Sequence, residues 1–362
     1  MTGTTPPAAA SSPKSQKSPK SQNSDNPAEV TPDAAPIEVG GDDPAPEDVD
    51  STLGSEASSS SASISSSILD YRTIHGRTYH SERGNAQYWA PIDAQQNEMM
   101  DIHHHLMTLA GDEKLYLAPL KKDIETALDI GTGTGIWAID FADEFPSTEV
   151  IGTDLSPIQP SWVPPNLKFE IEDCTQPWTF RTDSFDYVHM RYLVGSIQDW
   201  FTLFEQAYRV CRPGGWVESF EGVPIMESDD GTVSEDSAMH AWGKTFIEAG
   251  RKLGRPFTVV DDKLQEEGMK KAGLVDIESR MFKVPLGRWP KDTALRNIGI
   301  FAQEVLEGDI EGHVLQVATL AWGWSKEEVT VYCAKLRKEI RSGKHHPYYR
   351  IKVVYGRKPG AS

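Results

Sequence analysis

Apolar residues along this chain fall into two periods. Residues 127–130, 149–154, 167–171 and 185–189 are short apolar or alternating runs of strand length, and 216–220 is a fifth. Runs of that kind read as strands buried in a sheet. Between the first two strands, residues from about 134 to 145 carry Ile136, Ile139 and Ala142 at helical spacing. The pattern predicts a right-handed strand–helix–strand crossover. Trp200, Leu203, Phe204, Ala207, Val210 and Cys211 keep helical spacing behind Asp199, a residue suited to cap a helix N-terminus. Arg212-Pro-Gly-Gly215 ends that helix and opens the fifth strand.

The flanks are patterned as well. Met99, Ile102, Leu106 and Leu109 predict a helix over 93–109, preceded by an aromatic and basic stretch at 71–89. Helices are expected near 234–253 and 261–272, the second closed by Gly273. Residues 275–286 read as a sixth strand, and the alternation of 348–355 as a final, antiparallel edge strand. Residues 290–343 form an insertion whose last helix is marked by a Ser325/Glu328 capping box and by Val329, Tyr332, Leu336 and Ile340. Prolines in 156–165 leave little room for a regular helix there.

Candidate chemistry sits in the turn after the first strand, Asp129-Ile-Gly-Thr-Gly-Thr-Gly135. Glycines at alternate positions let the backbone turn where a Cβ would forbid it and approach a ligand facing a helix N-terminus. Gly131 and Gly133 fit the dinucleotide fingerprint G-x-G-x-x-G, but the third glycine falls one residue early, at Gly135. The second strand ends in Asp154, where a carboxylate can accept both hydroxyl hydrogens of a ribose. After the third strand comes Glu172-Asp173, from which an acid can reach an adenine amino group. This set resembles the S-adenosylmethionine site of Rossmann-like methyltransferases more closely than a nicotinamide site. A ligand-free strand-to-helix turn is the plain alternative.

Composition narrows the partners. The net charge is −18, and residues 1–67 hold ten acids against three lysines. That tail, rich in Ser, Pro and acids, cannot bury enough apolar surface to offset its ordering entropy and is expected to be disordered. Its two Ser-Pro-Lys repeats, at 12–14 and 18–20, could take phosphate, with a plain solvated tail the stronger reading. An acidic body repels phosphate backbones, so direct nucleic-acid binding is not expected. Cys174, Cys211 and Cys333 lack paired spacing and read as small core residues. His103, His104 and His105 point three ways around a helix, whereas metal ligands want i, i+4 spacing, so they read as a solvated polar face and no metal site is expected. With no apolar run that would span a bilayer, the chain is expected to be intracellular, in cytoplasm or nucleus.

His75-Gly-Arg-Thr-Tyr-His80, Gly135-Ile-Trp-Ala-Ile139, Asp154-Leu-Ser-Pro-Ile-Gln-Pro160 and Pro177-Trp178 together resemble the fungal LaeA-like methyltransferases, over about residues 70–358. Where some relatives carry a cysteine between the glycines, this chain has Gly131-Thr-Gly133. The resemblance implies a Rossmann-like class I α/β fold: a mostly parallel seven-stranded sheet, an antiparallel last strand and helices on both faces. The expected organisation is a tail at 1–67, an N-terminal helical segment at 68–120 and a methyltransferase domain at 121–358, with 290–343 as helical insertion or cap. S-adenosylmethionine is the implied cofactor, held by the backbone at Gly131, Gly133 and Gly135, with Asp129 at its amino-acid end, Asp154 on the ribose and Asp173 on the adenine. A small-molecule acceptor is expected, and a regulatory role with a protein partner is the alternative. His189, at the end of the fourth strand, is the candidate general base, against a histidine that packs or touches cofactor. His189-Met-Arg-Tyr192 stands where amino-methylating enzymes of nucleic acids often carry an Asn/Asp-Pro-Pro-Tyr/Phe run. Trp289, Trp322 and Trp324 either wall an acceptor pocket or, more plainly, pack in the core.

Overall fold

The computed structural model describes residues 69–81 and 88–360; the tail and its Ser-Pro-Lys repeats lie outside the described residues. The chain enters through a hairpin, β1 (Arg72–Ile74) and β2 (Arg77–Tyr79), and helix α1 (Ala94–Ala110). An alternating unit follows: β3 (Thr126–Ile130), α2 (Ile136–Glu144), β4 (Glu149–Asp154), β5 (Leu167–Ile171), β6 (Phe185–Arg191), α3 (Trp200–Val210) and β7 (Cys211–Gly222). Then come α4 (Ala238–Leu253), α5 (Leu264–Ala272) and β8 (Val275–Pro285), and α6 (Thr293–Gly308), α7 (Ile310–Trp322) and α8 (Lys326–Arg341) before the closing strand β9 (Tyr348–Arg357).

Seven strands form one sheet in the order β5-β4-β3-β6-β7-β9-β8. The first five are parallel, and β9 runs antiparallel to both of its neighbours. This is the Rossmann-like class I methyltransferase arrangement. The strand order reverses at β3, so a crevice opens outside the carboxyl ends of β3, β4 and β6, where open α/β sheets bind ligands.

Alternation along β3 and β6 decides what faces what. Leu128, Ile130, Val188 and Met190 enter the larger apolar cluster, while Ala127 and Tyr187 join Trp137, Phe141 and Phe145 on the opposite face. Asp129 and His189 share that second face, and the register pairs them directly. Burying an aromatic side chain such as Phe141 stabilises by about 1.5–3 kcal/mol, so this face of α2 is fixed strongly.

Several expectations change in three dimensions. The hairpin β1–β2 is too short for any periodicity; His75 and Gly76, both at positive φ, make its two-residue turn. The last strand is not an edge: β9 inserts between β7 and β8, and most of its residues are buried. On α2 the buried stripe is Trp137, Ala138, Phe141 and Ala142, with Ile136 and Ile139 only half-buried. Both stripes fit a 3.6-residue period, and the sheet selects one. The histidines of α1 are not a solvated face, because His103 and His104 are buried. The insertion folds into three helices, with α6 packed on α1 and α7 on α4. The caps at Asp199, Gly273 and Ser325 form as the sequence predicts, the last as a full capping box. No helix among the described residues is long and apolar enough to cross a membrane.

Candidate active site

A cleft of about 1230 Å³ opens at the switch point. Of the expected cofactor residues, Asp129, Gly131, Gly133, Asp154 and Asp173 line it, as does His189; Gly135 does not. Gly133 has a positive φ of 58°, and a Cβ there would meet no protein atom, so the backbone lies bare toward the cleft. Gly135 stands against a packed side chain. At φ 83° it caps α2, and a Cβ would lie 2.4 Å from Phe169 Cζ. Gly135→Ala should therefore cost at least about 1–2 kcal/mol, the ordinary penalty of left-handed backbone for an L residue. Thermal unfolding checks this, and a variant as stable as the parent would remove the packing role.

The turn is tied to β4. Gly133 N–H donates to Asp154 Oδ2 at 2.9 Å and Ser156 N–H to Oδ1 at 3.0 Å. Gln159 Nε2 donates to the carbonyls of Gly133 at 2.7 Å and Ser156 at 3.0 Å, which gives the Pro-Ile-Gln-Pro run its physical role. Burial pushes the Asp154 carboxyl up to about 6; backbone N–H groups oppose the shift, and the nearby charge of Asp129 adds to it. Asp173 Oδ1 accepts from the backbone N–H and hydroxyl of Thr175 at 2.9 and 2.6 Å. Cys174 also lines the cleft, and burial pushes its thiol up to about 12, so it stays unreactive there.

The buried polar face of β3 and β6 is a closed unit. His189 Nδ1 lies 2.7 Å from Asp129 Oδ1, and its ring stacks on Trp137 with centroids 3.6 Å apart. Trp137 is fixed in turn by its Nε1–H donating to Leu115 O at 2.9 Å. Desolvation lowers the His189 pKa, against the pull of Asp129. Asp129 Oδ2, His189 Nε2, Thr132 Oγ1 and Ser196 Oγ are buried without a hydrogen-bond partner. Orphaned polar atoms are costly, and a polar ligand would satisfy them. A bare glycine backbone, two strand-end carboxylates and unsatisfied polar atoms fit an adenosyl amino-acid ligand.

Sequence reasoning missed the α1 side of the site. Arg191 Nη2 donates to His104 Nδ1 at 2.9 Å, so His104 Nε2–H donates to Asp140 Oδ2, also at 2.9 Å. Thr134 Oγ1 donates to Asp101 Oδ1 at 2.6 Å and joins the glycine turn to α1. His80 Nδ1–H donates to Ser81 O at 2.8 Å while Nε2 accepts from Tyr88 N–H at 2.9 Å, and His80 reaches the cleft. The His75–His80 motif was the available signal for that residue. Tyr192, just past β6, has a φ of 59°, a strained value for a bulky residue. It is held by its N–H to Phe220 O, and by the buried Glu221 carboxylate, which accepts from Leu193 and Val194 N–H. Trp289, Trp322 and Trp324 line no part of the cleft, and Trp322 is 46% exposed. Among the described residues no group of three or more His, Cys, Asp or Glu could hold a metal ion.

A family model described as a methyltransferase domain matches residues 102–253. The chain is 38% identical over 305 residues to methyltransferase pytC of Aspergillus terreus, covering 84% of this chain and 93% of that one. It is 33% identical over 291 residues to secondary metabolism regulator LAE1 of Cochliobolus heterostrophus, covering 79% and 94%. Over 269 residues it is 32% identical to probable methyltransferase tdiE of Emericella nidulans, covering 74% and 83%. Fold, cleft and relatives define an S-adenosylmethionine-dependent methyltransferase. The chain belongs to the fungal LaeA-like family of such enzymes.

Proposed function

We propose that this methyltransferase acts on a small organic molecule of secondary metabolism and holds its cofactor in the cleft above β3, β4 and β6. In this reading Asp154 accepts the ribose hydroxyls, Asp173 the adenine amine, and the backbone at Gly131 and Gly133 lies along the ligand. Asp129 turns its free oxygen to the amino-acid end, while His189 holds the other oxygen and acts as a positioning residue. Bound there, the cofactor supplies a methyl group already activated on a sulfonium. The chain then has to align donor and acceptor and keep water out.

The observation that carries the reading is the carboxylate of Asp154 at the end of β4, lining the cleft beside Gly133, where a Cβ would meet no protein atom. Calorimetry of the purified protein with S-adenosylmethionine, S-adenosylhomocysteine and NADH tests it. Heat with the first two and none with NADH is expected; silence with both adenosyl ligands would sink it. Affinity should also follow pH. The ionised Asp154 accepts two hydroxyl hydrogens, and the protonated acid does so poorly, so affinity should be greatest above about pH 6 and fall below it. The stability of the ligand-free protein should move the other way. A folded pKa raised above its unfolded value gives a contribution present at acid pH and lost as pH rises through about 6.

A regulatory role in a nuclear protein complex is the second reading, favoured by the relative named a secondary metabolism regulator. Turnover of labelled S-adenosylmethionine with a fungal metabolite extract would favour the enzyme reading. Nuclear enrichment with a stable partner and no turnover would favour the regulator.

A further inference from the structure

A second chamber adjoins the cofactor cleft, and His103 and Tyr192 line both. Its walls are aromatic. Trp89 meets Phe246 edge-on at 5.4 Å and Phe257 at 5.6 Å, and Trp242 lies 4.9 Å from Phe246. Trp89 Nε1–H is committed to Val194 O at 2.9 Å, so this indole is a fixed wall. Asp, Glu, Lys and Arg are absent from the lining among the described residues. A charged guest would lose its hydration with nothing to replace it, which selects against phosphates, carboxylates and amines. Flat rings suit such walls.

Two imidazoles supply the polar points. His313 Nδ1–H donates to Asp309 O at 2.7 Å, which leaves Nε2 as an acceptor. His103 is 6% exposed and makes no hydrogen bond with the described residues; its ring meets Tyr192 edge-on at 4.7 Å. Burial lowers the pKa of both, so both stay neutral and able to accept a proton-bearing group. Tyr192, strained at the junction, sets the passage between the two spaces.

We propose that this chamber binds the methyl acceptor, and that the acceptor is a neutral aromatic molecule with a phenolic or enolic hydroxyl, its reactive oxygen held at His103 and a second donor at His313. The inference rests on the cofactor reading above. His103 accepts the hydrogen bond of the hydroxyl and aims its oxygen at the methyl carbon; as that bond forms, the carbon–sulfur pair returns to sulfur and the hydroxyl proton passes to water, S-adenosylmethionine being the co-reactant. His103 is thus a positioning residue for the acceptor.

The test uses a dihydroxynaphthalene as neutral probe and a hydroxynaphthoate as its charged counterpart, titrated by tryptophan fluorescence into protein saturated with S-adenosylhomocysteine. The neutral probe should bind at least tenfold more tightly. Ala302→Phe or Val305→Phe, which fill the chamber from α6, should weaken it tenfold or more while S-adenosylhomocysteine affinity stays as in the parent. That unchanged affinity also reports an intact fold. His103→Gln should bind the probe within about threefold but lower kcat for its methylation about tenfold or more, the cost of an acceptor oxygen held out of line. Equal binding of the naphthoate, undiminished binding in both filled variants, or full turnover by His103→Gln overturns the inference alone. Parent protein that fails to bind S-adenosylhomocysteine overturns the cofactor reading beneath it.

Discussion

Arg77→Met should destabilise the protein by about 3–5 kcal/mol, the cost of breaking a buried ion pair from one side. The Arg77 guanidinium grips two carboxylates at once, Asp93 at 2.6 and 2.8 Å and Asp309 at 2.7 Å on both oxygens. Each carboxylate also caps a helix: Asp93 accepts from Gln96 N–H at the start of α1, and Asp309 from Gly312 N–H at the start of α7. The Asp309 side chain is only 1% exposed and that of Arg77 16%, so loss of the arginine strands a charge that water cannot reach. The grip ties the hairpin to the two helices that carry His103 and His313. Arg77→Met should therefore loosen the acceptor chamber as well as lower the unfolding midpoint in urea. Adding Asp309→Asn should recover part of the loss, since no buried charge is then left alone. A loss below about 1 kcal/mol would place the pair among ordinary surface bridges.

The second large effect falls on ligand affinity. Asp154→Ala should weaken S-adenosylmethionine binding by about 1.5–3 kcal/mol, the range for hydrogen bonds to a charged group. That is roughly a 10- to 150-fold rise in Kd by calorimetry. The control is the ligand-free protein. Both Asp154 oxygens accept backbone N–H groups and an amide has a single acceptor oxygen, so Asp154→Asn removes the buried charge but sets its NH2 against the N–H of Gly133 or Ser156. The two effects oppose each other, and unfolding stability should change by no more than about 1–2 kcal/mol while affinity falls with the loss of the charged acceptor. If Asp154→Asn unfolds early while its affinity is unchanged, the carboxylate is structural and the cofactor assignment loses its main support.

How much of this was legible in advance differs element by element. The strands from 126 to 222 were readable because parallel strands buried on both faces are short, apolar and punctuated by turn residues. Helix caps were readable because an Asp or Ser at an N-cap acts within three residues. The relation of Asp129 to His189 was not, since 60 residues separate them and only the β3–β6 register brings them together. The histidine run failed for a related reason: α1 looks amphipathic by itself, but Tyr192 after β6 packs on His103, and Arg191 of β6 with Asp140 of α2 holds His104, so two of the three rings are buried. The tryptophans divide: Trp324 packs against the core as the plainer reading expects, while Trp322 is exposed, because aromatic residues near an insertion carry no information on which way they face.

The sequence by itself determined the class of fold, the glycine turn and the strand-end acids, since each depends on residues close in the chain whose spacing fixes their relative placement. Only the tertiary structure decided which residues share a cavity. It set Gly135 against Phe169, committed His189 to Asp129, set β9 inside the sheet and brought His103, Tyr192 and His313 together from α1, the end of β6 and α7. Contacts between residues far apart in the chain follow from register and helix packing, and those are settled by the whole core at once.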